Sequence, residues 1–212
     1  MSDTKTRILD AAETLFAEHG FAGTSLRDIT AEASVNLAAV NYHFGSKEAL
    51  LSAVFDRRIR PVNEERLRLL DELEHAATGS RLDLQEVLQA FLLPPFRKMQ
   101  EWGSGGAKFM QLVGRTHSEA NEQIRAGFLR HFEVILKRFA PALQRAVPDL
   151  PGNELHRRMH FVVGAMAHTL VWSHTLQERD EAQSAPIFDS LLRFAVAGLE
   201  APVESPAAGH VR

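Results

Sequence analysis

The chain has 212 residues, 45% hydrophobic and 24% charged, with no cysteine and a formal net charge of −3. That length buries a real core in one or two domains, and the composition is ordinary for a globular chain. The missing thiols exclude disulfides and thiol catalysis, and no apolar run reaches the length of a membrane span.

Ile8, Ala12, Leu15 and Phe16 recur at i, i+4, i+7 and i+8, which places one apolar stripe on a first helix. Gly20 ends that helix. Ser25-Leu-Arg-Asp28 has the form of a capping box with aspartate as its acidic member, so Ser25 starts a short second helix with Leu26, Ile29 and Ala33 facing inward. Ala33-Ser-Val-Asn36 reads as a turn, and Asn36 caps a third helix that runs to about Phe44. Ser46 caps a fourth helix carrying Leu50, Leu51, Val54 and Phe55. Pro61 is expected to kink or interrupt the helix at that point, and residues 63–75 read as a mostly solvated helix. Leu84 to Met99 has helical spacing broken at Pro94-Pro95, and Gly103-Ser-Gly-Gly106 reads as a flexible connection. Further helices are expected near 107–118, 121–145, 153–177 and 185–199. Strand signals are nearly absent, so the expected fold is all-α, with about nine helices in two domains. The start, Met1-Ser-Asp-Thr-Lys5, has no apolar secretory core, and a cytoplasmic location is expected.

Three short helices within residues 7–44, with a tight turn between the second and third, make a helix-turn-helix candidate. A recognition helix must expose small or polar groups so that its backbone can approach base edges in the major groove. Leu37-Ala-Ala-Val-Asn-Tyr-His-Phe44 does so. Val40 and Phe44 anchor it inward, while Ala38, Ala39, Asn41 and Tyr42 take the other faces. Alanine suits a thymine methyl, and Asn41 suits an adenine edge or a phosphate. Tyr42, His43 and Lys47 are phosphate donors at the flanks, and Lys47 also lies beside the amino end of the fourth helix. Net charge speaks against nucleic acid. Residues 1–60 hold seven Lys/Arg against eight Asp/Glu, net −1, without the usual basic footprint. The case rests on where a few groups sit.

Residues 8–55 resemble the DNA-binding domain of the TetR family. The resemblance is carried by Ile8-Leu-Asp-Ala-Ala12, Leu15-Phe-Ala-Glu-His-Gly-Phe21, Thr24-Ser-Leu-Arg-Asp-Ile29, Val40-Asn-Tyr-His-Phe44 and Ser46-Lys-Glu-Ala-Leu50. The segment from Val35 to Lys47 is similar in particular to a branch that includes fatty-acid-responsive regulators. The resemblance implies that Arg27, Ala38, Ala39, Tyr42, His43 and Lys47 lie at or near DNA. With Ser25, Leu37 and Asn41 they form the candidate set for double-stranded operator DNA. Most relatives carry glycine where this chain has Ser34, at a turn position where positive φ would strain a serine by about 1 kcal/mol. The expected layout is a helix-turn-helix domain at 1–50, a helical ligand-binding and dimerisation domain at 51–200, and a disordered tail at 201–212.

The helix near 153–177 carries Leu155, Met159, Val162, Val163, Met166 and Leu170 on one stripe and Phe161, Ala165, His168 and Trp172 on another. A helix apolar on most sides is buried on most sides. Together with the last helix it fits either a homodimer seam or monomer core. Phe91, Met99, Trp102, Phe109, Met110 and Phe128 are bulky, adaptable side chains that suit either core or an apolar effector pocket. The same holds for Phe132, Met166, His168 and Trp172. Arg115 is read either as an anchor for an acidic effector or as a solvated ion-pair partner. The resemblance implies a fatty acid or acyl-CoA as effector, with an unrelated aromatic or drug-like molecule as the alternative. His156 and His160 have metal-ligand spacing, but Arg157 and Arg158 sit between them and no Glu stands as a base. No metal, cofactor or catalytic residue is expected. A sequence-tolerant architectural DNA binder would want a far more basic surface.

Overall fold

The computed structural model describes residues 3–77, 79, 81–117, 122–177 and 184–203. Among these the chain is helical throughout its regular structure: α1 Thr4–His19, α2 Leu26–Glu32, α3 Leu37–Phe44, α4 Lys47–Ala77, α5 Leu84–Trp102, α6 Ser104–His117, α7 Glu122–Ala146, α8 Gly152–Gln177 and α9 Ser184–Glu200. No helix of the described residues is long and apolar enough to cross a membrane.

The helix starts follow side-chain chemistry. Ser25 accepts from the Asp28 backbone N–H while Asp28 accepts from the Ser25 N–H at 2.9 Å, closing the capping box of α2. Asn36 Oδ1 accepts from the Ala39 N–H at 2.8 Å and starts α3. Between them Ser34 takes φ 50°, the left-handed conformation that suits glycine. The turn is held from outside. Arg7 of α1 donates to the carbonyls of Ala33 and Ser34, satisfying the carboxy-terminal end of α2. Glycine at position 34 would relieve about 1–2 kcal/mol of left-handed strain but add about 0.5–1 kcal/mol of unfolded-state entropy. Ser34→Gly is therefore expected to raise the thermal unfolding midpoint slightly, and the β-branched Ser34→Val to lower it by more.

Prolines do not break the helices at the two places where the sequence suggests a break. Pro61 does not interrupt the helix: α4 runs through it from Lys47 to Ala77. Pro94 and Pro95 likewise sit inside a continuous α5. An internal proline removes a helix hydrogen bond and costs about 3 kcal/mol. The flanking Ile59 and Val62, and Phe91 and Leu92, are buried, and two such burials at about 1.5–3 kcal/mol each offset that cost. The glycine-rich stretch is not a flexible connection either. Only Gly103, at φ 51°, separates α5 from α6. A Cβ on Gly106 would lie 2.8 Å from the Met99 carbonyl oxygen, so the stretch serves a tight helix-to-helix junction.

The chain forms two compact units. The first comprises the residues up to Arg68 together with Pro94–Arg138. In it α1, α2 and α3 pack on one another, and α6 lies along α1. Its centre is Ile8, Ala12, Phe16, Ile29, Val40, Leu50 and Val54, all fully buried. An aromatic group extends it: Phe55 lies 4.8 Å from Phe128 and 6.2 Å from Phe109, ring to ring. The second unit comprises Leu69–Leu93 and the residues from Phe139 onward. There α8 packs on α9, burying Leu155, Met159, Val162, Met166 and Leu170 against Phe188, Leu191, Leu192, Ala195 and Leu199. Arg158 caps this pair, donating to the carbonyls of Gly198, Leu199 and Ala201 at the end of α9.

Candidate nucleic-acid interface

A short helix held at both ends and on one side can offer its remaining surface to a partner. α3 is such a helix. Val40 is fully buried and Asn36 and Gly45 close its ends. Leu37, Ala38, Asn41 and Tyr42 are exposed, and Ala39 and His43 are half-buried. Tyr42 stands furthest out at 86% exposure, its ring edge-on to His43 at 5.1 Å. Beyond the exposed Leu37 the surface presented is small at Ala38 and polar at Asn41 and Tyr42, so a backbone can approach base edges there.

The flanking residues divide by role. Arg27 is exposed on α2. The Ser25 hydroxyl is engaged within the chain, donating to Asp28 Oδ2 at 2.7 Å. That hydroxyl first, and the Ser25 backbone N–H second, hold the Asp28 carboxyl below the usual carboxylate range. Lys47, expected as a phosphate donor, places its ammonium 2.9 Å from both the Phe21 and Thr24 carbonyls and 4.1 Å over the Phe21 ring. It closes the loop between α1 and α2, leaving one N–H for a phosphate.

Sequence reasoning missed the residues that position this head. Glu13 of α1 is buried, and both its oxygens are taken. Arg57 Nη2 donates to Oε2, and Arg58 donates from Nε at 3.0 Å and from Nη2 at 2.6 Å to Oε1. Arg57 also reaches Asp10 at 2.6 Å, and Arg58 lies 4.9 Å over the Trp102 ring. Two adjacent residues of α4 thus clamp α1. The signal was present, since Leu9, Glu13, Phe16 and Ala17 fall at i, i+4, i+7 and i+8, and a carboxylate on an apolar stripe needs cations.

The candidate effector residues fall in both units. In the first, Phe109, Met110 and Phe128 are buried, Met99, Trp102 and Phe132 are half-buried, and Arg115 is exposed. Trp102 meets Phe109 at 6.0 Å, and Phe132 meets Phe128 at 5.1 Å. In the second, Phe91 stacks edge-on with Phe139 at 5.2 Å, Met166 is buried, and His168 is exposed. The Trp172 side chain lies outside the described residues. The second stripe of α8 stays at the surface, with Phe161 64% exposed, and α9 leaves Phe194 60% exposed. An open groove between the two helices is lined by Ala165, Thr169, Pro186, Ile187, Ser190, Leu191 and Phe194.

Residues 8–54 match the family model described as bacterial regulatory proteins, tetR family, and residues 89–198 match the tetracyclin repressor-like carboxy-terminal domain. The HTH-type transcriptional repressor Rv3405c of Mycobacterium tuberculosis is 34% identical over 155 residues, covering 70% of this chain and 80% of that protein. The HTH-type transcriptional regulatory protein RaaS of the same species is 33% identical over 128 residues, 58% of each chain. Among solved structures, the fatty acid degradation regulator FadR from Bacillus halodurans superposes with a TM-score of 0.63 at 18% identity, covering 91% of this chain and 96% of that one. FadR from Bacillus subtilis in complex with stearoyl-CoA gives 0.61 at 18% identity, covering 91% and 98%.

Proposed function

Because the chain belongs to the TetR family of bacterial transcription regulators, we propose that it is a cytoplasmic repressor whose grip on an operator is released by a small apolar molecule. The observation that carries the reading is α3, a capped helix whose outward face is Ala38, Asn41 and Tyr42. Ser25, Arg27, Leu37, Ala39, His43 and Lys47 complete the proposed contact with double-stranded DNA, the last through its remaining N–H.

The protein acts as a homodimer through α8 and α9. Phe161 and Phe194, both well exposed in the single chain, are the apolar anchors that a second copy covers. A two-fold pair would set its recognition helices about 34–36 Å apart, one turn of DNA. The effector is an acyl chain, as fatty acid or acyl-CoA. Support comes from the likeness to FadR, whose solved complex holds stearoyl-CoA, and from the aromatic group around Phe55 and Phe128. That same ring cluster favours, as the second reading, a planar aromatic effector. DNA and effector oppose each other by linkage. A hundredfold release requires the effector to prefer the DNA-free state by about 2.7 kcal/mol.

The test is fluorescence anisotropy of a labelled fragment from upstream of the protein's own gene, titrated at fixed salt with and without oleoyl-CoA. Tight binding abolished by the lipid is expected. Tight binding indifferent to it would keep the repressor and discard the acyl effector. Failure on that fragment and on a random operator library would bring down the regulator reading.

A further inference from the structure

Among the described residues two buried side-chain nitrogens of the first unit, Arg57 Nε and His131 Nε2, have no hydrogen-bond partner. Arg57 meets Asp10 and Glu13 through its other nitrogens, and His131 has no such second contact for Nε2. His131 of α7 is 12% exposed at its side chain, and its Nδ1 lies 2.9 Å from Asp56 Oδ1 of α4. Its Nε2 is buried and makes no hydrogen bond. The ring sits 6.0 Å from Phe55, which is 4.8 Å from Phe128. Asn63 links the His131 main chain, not its ring, to a buried cation. Its Nδ2 donates to the His131 carbonyl at 3.2 Å, and its Oδ1 accepts from Arg66 Nη1 at 3.1 Å. Arg66 is 1% exposed, and burial pulls its guanidinium down to about 9.

An orphaned buried nitrogen costs about 1–3 kcal/mol, and such atoms are rare enough in folded proteins that each asks for a cause. Packing alone does not supply one, because a phenylalanine at 131 would meet Phe55 as well and leave nothing unsatisfied. With Nδ1–H donated to Asp56, Nε2 keeps its lone pair, in a ring 6.0 Å from that of Phe55. It wants a group that brings a proton. We propose that His131 Nε2 is the head-group contact of an effector site in this unit, and that the effector is a monocarboxylic acid with an apolar body. This rests on the reading of the chain as an effector-released regulator and narrows its effector to a free acid.

The chemistry balances. The acid contributes one proton and one negative charge: the proton sits on Nε2 and is donated to the carboxylate oxygen as a charge-assisted hydrogen bond, while the other N–H stays with Asp56. The hydrocarbon or aryl body lies against Phe55 and Phe128. The position also matters for release. Asp56, which fixes the imidazole, is followed on α4 by Arg57 and Arg58, which hold Glu13 of α1. A charge arriving at His131 therefore acts one residue from the clamp on the DNA-binding head.

The experiment is calorimetric titration of the full chain with decanoate, methyl decanoate and 1-decanol, repeated on His131→Phe. Histidine nitrogen NMR on the unaltered chain accompanies it. Decanoate is expected to bind at least about tenfold tighter than the ester or the alcohol, and His131→Phe to lose at least that factor. The Nε2 resonance should move on adding decanoate. His131→Phe should unfold at the same temperature or higher, since it removes an unsatisfied atom. An acid that binds no tighter than its ester or alcohol overturns the proposal. So does affinity unchanged in His131→Phe, an unmoved Nε2 resonance, or no saturable decanoate binding. Operator affinity of the same preparation without any acid separates the two readings: if it is retained while decanoate fails, only the head-group assignment falls.

Discussion

Replacing Glu13 by alanine is expected to destabilise the first unit by about 3 kcal/mol or more, seen as an early shift of the urea unfolding midpoint. Glu13 is buried, and its carboxylate is the shared acceptor of Arg57 and Arg58. Removing it leaves two guanidiniums of like charge side by side, together with the volume of the lost side chain. Both arginines keep some solvent access, with side chains 26% and 19% exposed. They recover part of their hydration, which holds the loss near the lower end of the range of about 3–5 kcal/mol for breaking a buried pair. Arg57 also keeps Asp10, so Arg57→Ala and Arg58→Ala should each cost less than Glu13→Ala. A double-mutant cycle of Glu13 with Arg58 should give a coupling above about 1 kcal/mol. A Glu13→Ala loss under about 1 kcal/mol would mean that the arginines rehydrate freely and that the clamp does not hold α1.

The parts of this molecule that were legible in the sequence are those in which a local signal and the tertiary outcome agree. The caps at Ser25 and Asn36 are short-range chemistry, and they start α2 and α3 as expected. The stripe of Ile8, Ala12 and Phe16 is buried because three helices converge on it. Where tertiary packing overrides a local preference, the sequence misleads. Pro61, Pro94 and Pro95 are local breakers carried through by the burial of their neighbours. The positive φ of Ser34 was legible from the turn, whereas the grip of Arg7 on the turn carbonyls, distant in sequence, was not. The exposed face of α3 was legible because exposure follows from helical phase once Val40 is known to point inward. Lys47 was not, since its engagement with Phe21 and Thr24 depends on a loop whose path no periodicity reveals. His131 was invisible for the same reason. Its Nε2 stands out only once Asp56 is seen to hold the other nitrogen.

Ala38→Glu is expected to weaken operator binding by about a hundredfold or more while leaving the fold intact, or slightly more stable. Ala38 is exposed at the second position of α3, one residue beyond Leu37 and two from the Asn36 cap. An acidic side chain in the first turn of a helix is favoured by the exposed N–H groups there, by about 0.3–1 kcal/mol. α3 has no acidic residue in that turn. The substitution is therefore helpful to the isolated helix and harmful only to a polyanionic partner. A side chain at this position would carry its charge into the groove, where every phosphate repels it and any methyl contact of the alanine is lost. A hundredfold loss corresponds to about 2.7 kcal/mol, and a displaced contact with one unscreened repulsion supplies that much. The opposite sign of the two effects makes the test decisive. Thermal unfolding and operator anisotropy of Ala38→Glu should move in opposite directions, and Tyr42→Phe should weaken binding far less, by about the 1 kcal/mol of one hydroxyl contact. Unchanged affinity in Ala38→Glu would remove α3 from the interface. Loss of stability together with loss of affinity would show that Ala38 packs inside the head and does not face DNA.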